Sequence, residues 1–212
     1  MSVPGRTEAA ALILSVDPAP RLVRHSRAVA EVAAWLGDRV SRCGTPVDRR
    51  LVESAALLHD IDKALPRDHH LRSLPHGEGS AAWLRDRGHK QLAPIVANHP
   101  VTCLAADGFG GGSWSGFQSI EAAIVAYADK RARQRLIPMS ERFAIWRRKY
   151  RPAPAGSGEA WSEDRLAEIA MRAERLERDV CDAAGVRPQD VARLRWTGRA
   201  FIVAEREASA GQ

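Results

Sequence analysis

Aromatic residues make up only 6% of this 212-residue chain, with 2 tyrosines and 4 phenylalanines, and few interleave with its basic runs. A stacking surface for nucleic acid is therefore not expected, and no recognised nucleic-acid-binding motif is present. The 3 cysteines, Cys43, Cys103 and Cys181, are widely spaced and odd in number. That excludes a disulfide framework or a zinc knuckle and points to reduced thiols in the cytoplasm. No apolar run approaches the roughly 20 residues that span a bilayer. The early stretch AAALILSV is short, follows Glu8 and lacks a basic leader, so it reads as a buried helical turn rather than a signal peptide. There is no internal repeat and no convincing alternation of the strand type. The glycine-rich segment DGFGGGSWSG, from Asp107 to Gly116, lacks the Gly-Lys-Ser/Thr ending and the preceding strand of a phosphate-binding P-loop. It reads as a mobile surface loop, either a solvated connector or a cover for a site through Trp114 or Phe117.

What the chain does contain is helix. The Pro18 and Pro20 pair opens a helix that runs to about Cys43, where the CGTP turn ends it. Asp48 or a neighbour starts the next, leading to His59. The segment HGEGSAAWLRDRG reads as a helix stopped by Gly88, and a short helix ends at the Asn98, His99, Pro100 turn. Helix resumes near Ser119. After a linker-like stretch, RRKYRPAPAGSGEA, a long amphipathic helix begins near Trp161, with Leu166, Ile169, Leu176 and Val180 suited to packing on the core or on another subunit, the core being favoured. RPQDVARL starts a further helix, with Pro188 suitably early. The expectation is an all-α fold, a helical bundle over residues 1–151, a linker at 152–160 and a C-terminal helical extension at 161–212.

Several of these segments carry a polar residue on or beside the apolar face. His25, Val29, Val32 and Leu36 form one stripe, as do Val52, Ala55 and His59, with Asp60 one residue further round. His76, Ser80 and Trp83 are read as a third, Leu92, Ile95 and His99 as a fourth, and Ala122, Val125 and Asp129 as a fifth. A His-Asp dipeptide alone is weak evidence in a chain with 7 histidines and 26 acidic residues. Burying these groups separately would cost on the order of 1–3 kcal/mol per unsatisfied polar group, and more for a lone charge. Convergence on a metal removes that objection. His69, His70 and His89 fall outside the pattern and are expected at the surface.

In this ordered set, an early His25, the pair His59-Asp60, two later histidines, His76 and His99, and a final Asp129, the chain resembles the HD-domain superfamily of metal-dependent phosphohydrolases over roughly residues 20–151. The resemblance implies an HD-type helical bundle in which His25, His59, Asp60 and Asp129 hold one metal. It also implies a second ion, bridged by Asp60 and held by His76 and His99, as in the dinuclear branches. By the same resemblance Lys63, in the His-Asp-x-x-Lys arrangement, approaches substrate phosphate. Asp62 stands where several relatives carry glycine, as a partner of Lys63, a proton donor or a solvated group.

Imidazole and carboxylate donors without thiolate suit one or two divalent transition ions: iron, manganese, cobalt, nickel or zinc. Such ions neutralise charge on phosphate oxygens and acidify nearby water, which makes phosphoester or phosphoanhydride hydrolysis the expected reaction. A formal net charge of +6 favours an anionic partner, and a small nucleotide leads by the resemblance. Arg131 and Arg133, just beyond Asp129, are the candidate substrate-binding cations, against the bland reading of a solvated helix face. The alternative function is a catalytically weak nucleotide-sensing or protein-binding module that retains the metal site.

Overall fold

In the computed structural model the described residues are 2–105, 114–133, 135–150 and 161–191, together with positions 194, 203, 204, 206, 207 and 209. Ten α-helices are present among them: α1 (Arg6–Leu14), α2 (Pro20–Arg42), α3 (Arg49–Leu58), α4 (Glu78–Asp86), α5 (Ala93–Ala97), α6 (Val101–Ala105), α7 (Ile120–Arg131), α8 (Met139–Lys149), α9 (Glu163–Ala184) and α10 (Pro188–Val191). Short 3-10 turns occupy Ile61–Ala64, His70–Ser73 and Trp114–Gly116. The described residues contain no strand, only an isolated antiparallel bridge between Ala132 and Leu136. The architecture is all-α, as expected.

Local chemistry sets the helix starts. Pro20 occupies the first turn of α2, where a missing N–H costs nothing. Asp48 caps α3 by accepting from the Leu51 N–H at 3.0 Å, Ser119 caps α7 through the Ala122 N–H at 3.3 Å, and Ser162 caps α9 through the Arg165 N–H at 3.1 Å. Each satisfies a donor that the helix itself cannot, an effect of about 1 kcal/mol.

Helix α7 organises the bundle. From Ile120 to Ala128 nearly every side chain is buried, the signature of a helix surrounded by others rather than laid on a surface. It touches α2, α3, α5, α8 and α9, while α2 also packs along α3 and α9. The hydrophobic core is continuous from Ile13 and Leu36 through Leu57, Leu84 and Tyr127 to Leu176 and Val180. Helix α9 therefore completes the core with its apolar stripe instead of standing apart. The expected linker at 152–160 lies outside the described residues, as do positions 107–113 of the glycine-rich segment. Just before that linker Tyr150 stacks on Trp161, ring centroids 3.7 Å apart.

Four local readings are corrected here. His76 precedes α4 and is separated from it by Gly77 at φ 92°, a conformation no helical stripe can contain. His99 likewise follows the end of α5, after Asn98, because Pro100 cannot continue that helix. His89, expected at the surface, is 9% exposed, tucked in by its own N–H to the Leu84 carbonyl at 2.8 Å. Trp114 and Phe117 do not cover a site either: Phe117 is buried in the core and Trp114 packs partly against it.

Candidate metal centre

Three helices and two irregular segments bring six side chains to one place. His25 comes from the second turn of α2, His59 and Asp60 from the end of α3, and Asp129 from the last turns of α7. His76 and His99 come from the irregular chain flanking α4 and α5. His25 Nε2 lies 3.1 Å from His59 Nε2 and 3.2 Å from Asp129 Oδ1. His59 Nε2 lies 3.5 Å from Asp60 Oδ2 and 3.6 Å from Asp129 Oδ1, and His25 Nε2 lies 3.6 Å from Asp60 Oδ2. Donors about 2.1 Å from a common ion stand roughly 3.0–3.5 Å apart in octahedral or tetrahedral geometry. This quartet has that spacing.

A second triangle shares Asp60. Its other oxygen, Oδ1, is 3.4 Å from His99 Nε2 and 3.5 Å from His76 Nε2, and the two imidazole nitrogens are 3.3 Å apart. Asp60 Oδ1 is buried with no hydrogen-bond partner. An ionised carboxylate oxygen left so in a protein interior carries a large penalty unless a cation meets it.

Backbone carbonyls orient two of the histidines. His59 donates Nδ1–H to the Ala56 carbonyl at 2.7 Å, and His99 donates Nδ1–H to the Val96 carbonyl at 2.6 Å. In both rings Nε2 thereby faces the cluster. Burial pushes His99 down to about 4, so it is neutral at ordinary pH. Burial also opposes charge on His59, yet the carboxylates of Asp60 and Asp129 pull it up to about 10. Despite burial, His59 holds Asp60 well below the usual carboxylate range, and His25 and His59 do the same for Asp129. Buried Asp60 and partly buried Asp129 both draw positive charge, from His59 and, at Asp60, also from Lys63. The donor set fits divalent ions.

Around the cluster the structure separates the expected helpers. Lys63 Nζ donates to Asp60 Oδ2 at 2.7 Å and stands 3.3 Å from His76 Nε2, half exposed toward the cavity. Asp62 stands behind His76 and does not reach the cavity wall. Its Oδ1 accepts from Ser80 Oγ at 2.8 Å and its Oδ2 lies 4.0 Å from His76 Nδ1. The backbone allows this packing only because Gly79 lies against Asp62 and the Leu71 carbonyl, with no room for a Cβ.

Arg133 lines the cavity, but Arg131 does not. The expectation that Arg131 binds substrate is corrected: its side chain points into the α7 and α9 interface. There it donates to the Ile137 carbonyl, Tyr127 Oη, Glu177 Oε1 and the Pro188 carbonyl. One residue of helical rotation sends consecutive side chains about 100° apart, so Arg131 and Asp129 cannot share a face.

Two contributors escaped the sequence. Lys130, 1% exposed, donates to the His99 carbonyl at 2.8 Å and braces the backbone that presents His99. Arg142 of α8 donates to the carbonyls of Asp129, Lys130 and Ala132, closing the C-terminal end of α7 with a positive charge where the helix dipole favours one. Neither has a sequence signal, since a lysine or arginine in a basic run looks like a solvated one.

The cavity onto which His25, Asp60, His76 and Asp129 open measures about 420 Å³ and is bounded by α2, α7 and α8. The family model of the HD domain matches residues 22–134. The chain belongs to the HD-domain family, a superfamily of metal-dependent phosphohydrolases. No curated protein and no solved structure matches it.

Proposed function

We propose that this protein is a metal-dependent phosphohydrolase that cleaves a phosphoester or phosphoanhydride bond of a small nucleotide. The observation that carries the reading is Asp60: one buried carboxylate with one oxygen toward His25 and His59 and the other toward His76 and His99. In this reading His25, His59, Asp60 and Asp129 hold one divalent transition ion, and Asp60, His76 and His99 hold a second. Bound there, such ions supply charge neutralisation for phosphate oxygens and acidify adjacent water. Iron, manganese, cobalt, nickel and zinc all suit the donors.

The chain's own residues do the rest. Lys63 keeps Asp60 ionised and, being half exposed, offers its ammonium to an incoming phosphoryl oxygen. Asp62 holds His76 through its Nδ1 side, and Arg133 contacts the substrate at the cavity wall. Backbone carbonyls of Ala56 and Val96 hold the His59 and His99 rings, so those donors are oriented before the substrate arrives. Elemental analysis of the purified protein, followed by a phosphate-release screen over a nucleotide panel with each metal, tests the reading. No turnover with any combination would overturn it in favour of a binding module.

A further inference from the structure

The α8 side of the cavity carries positive charge that the donor cluster does not use. Arg142, Ile145, Trp146, Lys149 and Tyr150 line it, and their steps of three, one, three and one residues trace one continuous helical stripe. This stripe lies beyond residue 134, where the family match ends. Arg21, in the first turn of α2, and Arg133, just after α7, stand on the same cavity.

Among the described residues, the only carboxylates on the cavity wall are Asp60 and Asp129, and both face the histidines. Lys63 is paired with Asp60, and Lys130 is spent on the His99 and Ala126 carbonyls. Arg21 and Arg133 are exposed and have no side-chain partner among the described residues. Arg142 commits Nε and Nη2 to backbone carbonyls and leaves Nη1 uncommitted. Lys149 donates to Tyr150 Oη at 2.9 Å and to no carboxylate.

Unpaired arginines on a convex surface are ordinary solvated groups. Here they border a concavity, whose low-dielectric walls focus their field. At about 420 Å³ the cavity falls in the size range of sites for drug-sized ligands, roughly 300–1,000 Å³, far more than one phosphoryl group fills.

We propose that Arg21, Arg133, Arg142 and Lys149 form a second anion subsite, so that the substrate carries a di- or polyphosphate chain rather than a single phosphoryl group. Guanidinium forks match phosphate oxygens in pairs, and an ammonium beside them completes a site for a strongly charged oxyanion. The link to a substrate rests on the hydrolase reading above, whereas the binding does not.

The test is titration calorimetry of the full chain, freed of metal so that chelation does not enter, with inorganic tripolyphosphate and with orthophosphate. The wild type is expected to prefer tripolyphosphate at least tenfold. Arg21→Gln combined with Arg133→Gln is expected to reduce that preference tenfold, while Arg67→Gln combined with Lys90→Gln, exposed cations outside the cavity, leaves it within twofold. Equal loss in both double variants, or none in either, overturns the subsite. Circular dichroism verifies folding of each variant. Phosphate release by the metal-loaded enzyme separates the two readings. Lack of any turnover with the preference intact sinks the hydrolase and keeps the subsite, whereas turnover without the preference does the reverse.

Discussion

Lys130 Nζ donates to the carbonyl oxygen of His99 across 2.8 Å, so the residue after Asp129 on α7 holds in place the backbone of a histidine thirty-one positions earlier. The two halves of the proposed centre are thus mechanically joined. Lys130→Met removes the donor while keeping the bulk. It is expected to cost about 1–3 kcal/mol of stability through the orphaned carbonyl, and to lower metal content at the His76 and His99 half first. Urea unfolding and metal stoichiometry measure the two effects, and unchanged stoichiometry would show that His99 needs no brace.

Asp60 is shared by both triangles, so its loss and the loss of a single histidine should differ. The wild type should bind about two ions per chain, His76→Ala about one, and Asp60→Ala close to none, since metal affinity depends on a complete donor set. Elemental analysis decides. A wild-type ratio of one that His76→Ala leaves unchanged would remove the second ion from the account.

Chelation should destabilise the fold, because ions that bind only the folded chain add to its stability. At a hundredfold excess over the dissociation constant that contribution is about 2.7 kcal/mol, or roughly 5–10 °C in melting temperature for a chain of this size. Calorimetric scans before and after chelator treatment, with the metal restored in a third sample, measure the shift. A chelated protein that melts at the same temperature would count against any resident metal.

Arg131 should matter for folding and not for substrate. Arg131→Met strands Glu177 at the α7 and α9 interface and is expected to cost about 3 kcal/mol or more. Activity per folded molecule should stay within twofold and KM should not move. A selective rise in KM with intact stability would restore Arg131 to the substrate side.

At Gly79 an added Cβ would collide with the Leu71 carbonyl and press on Asp62. Gly79→Ala is expected to destabilise by about 1–3 kcal/mol and to weaken metal binding through the displaced Asp62 and His76 pair. A urea midpoint equal to that of the wild type would mean the turn at His70–Ser73 yields freely.

Much of the bundle could be read before any coordinates. The Pro20 start of α2, the Asp48 and Ser119 caps and the apolar stripe of α9 are local signals, and each lies where the pattern places it. The errors cluster where a turn interrupts a stripe. Ser80 and Trp83 do share a face of α4, but His76 reaches the centre from the non-helical side of Gly77. His99 arrives from the break between α5 and α6. Periodicity matched both histidines to helices by coincidence of spacing. The sense in which a cation points was also beyond reach: Lys130, Arg131 and Arg133 look alike in sequence and end in a backbone brace, a buried ion pair and a cavity wall.

By itself the sequence determined that this chain is helical and which imidazoles and carboxylates could serve a metal, because helix periodicity, caps and donor chemistry are properties of short segments. Only the tertiary structure decided that Asp60 divides its two oxygens between histidine pairs, that Arg131 turns inward, and that α8 lines the cavity with Arg142 and Lys149. These outcomes depend on how helices distant in sequence rotate and pack against α7, and no local pattern encodes that rotation.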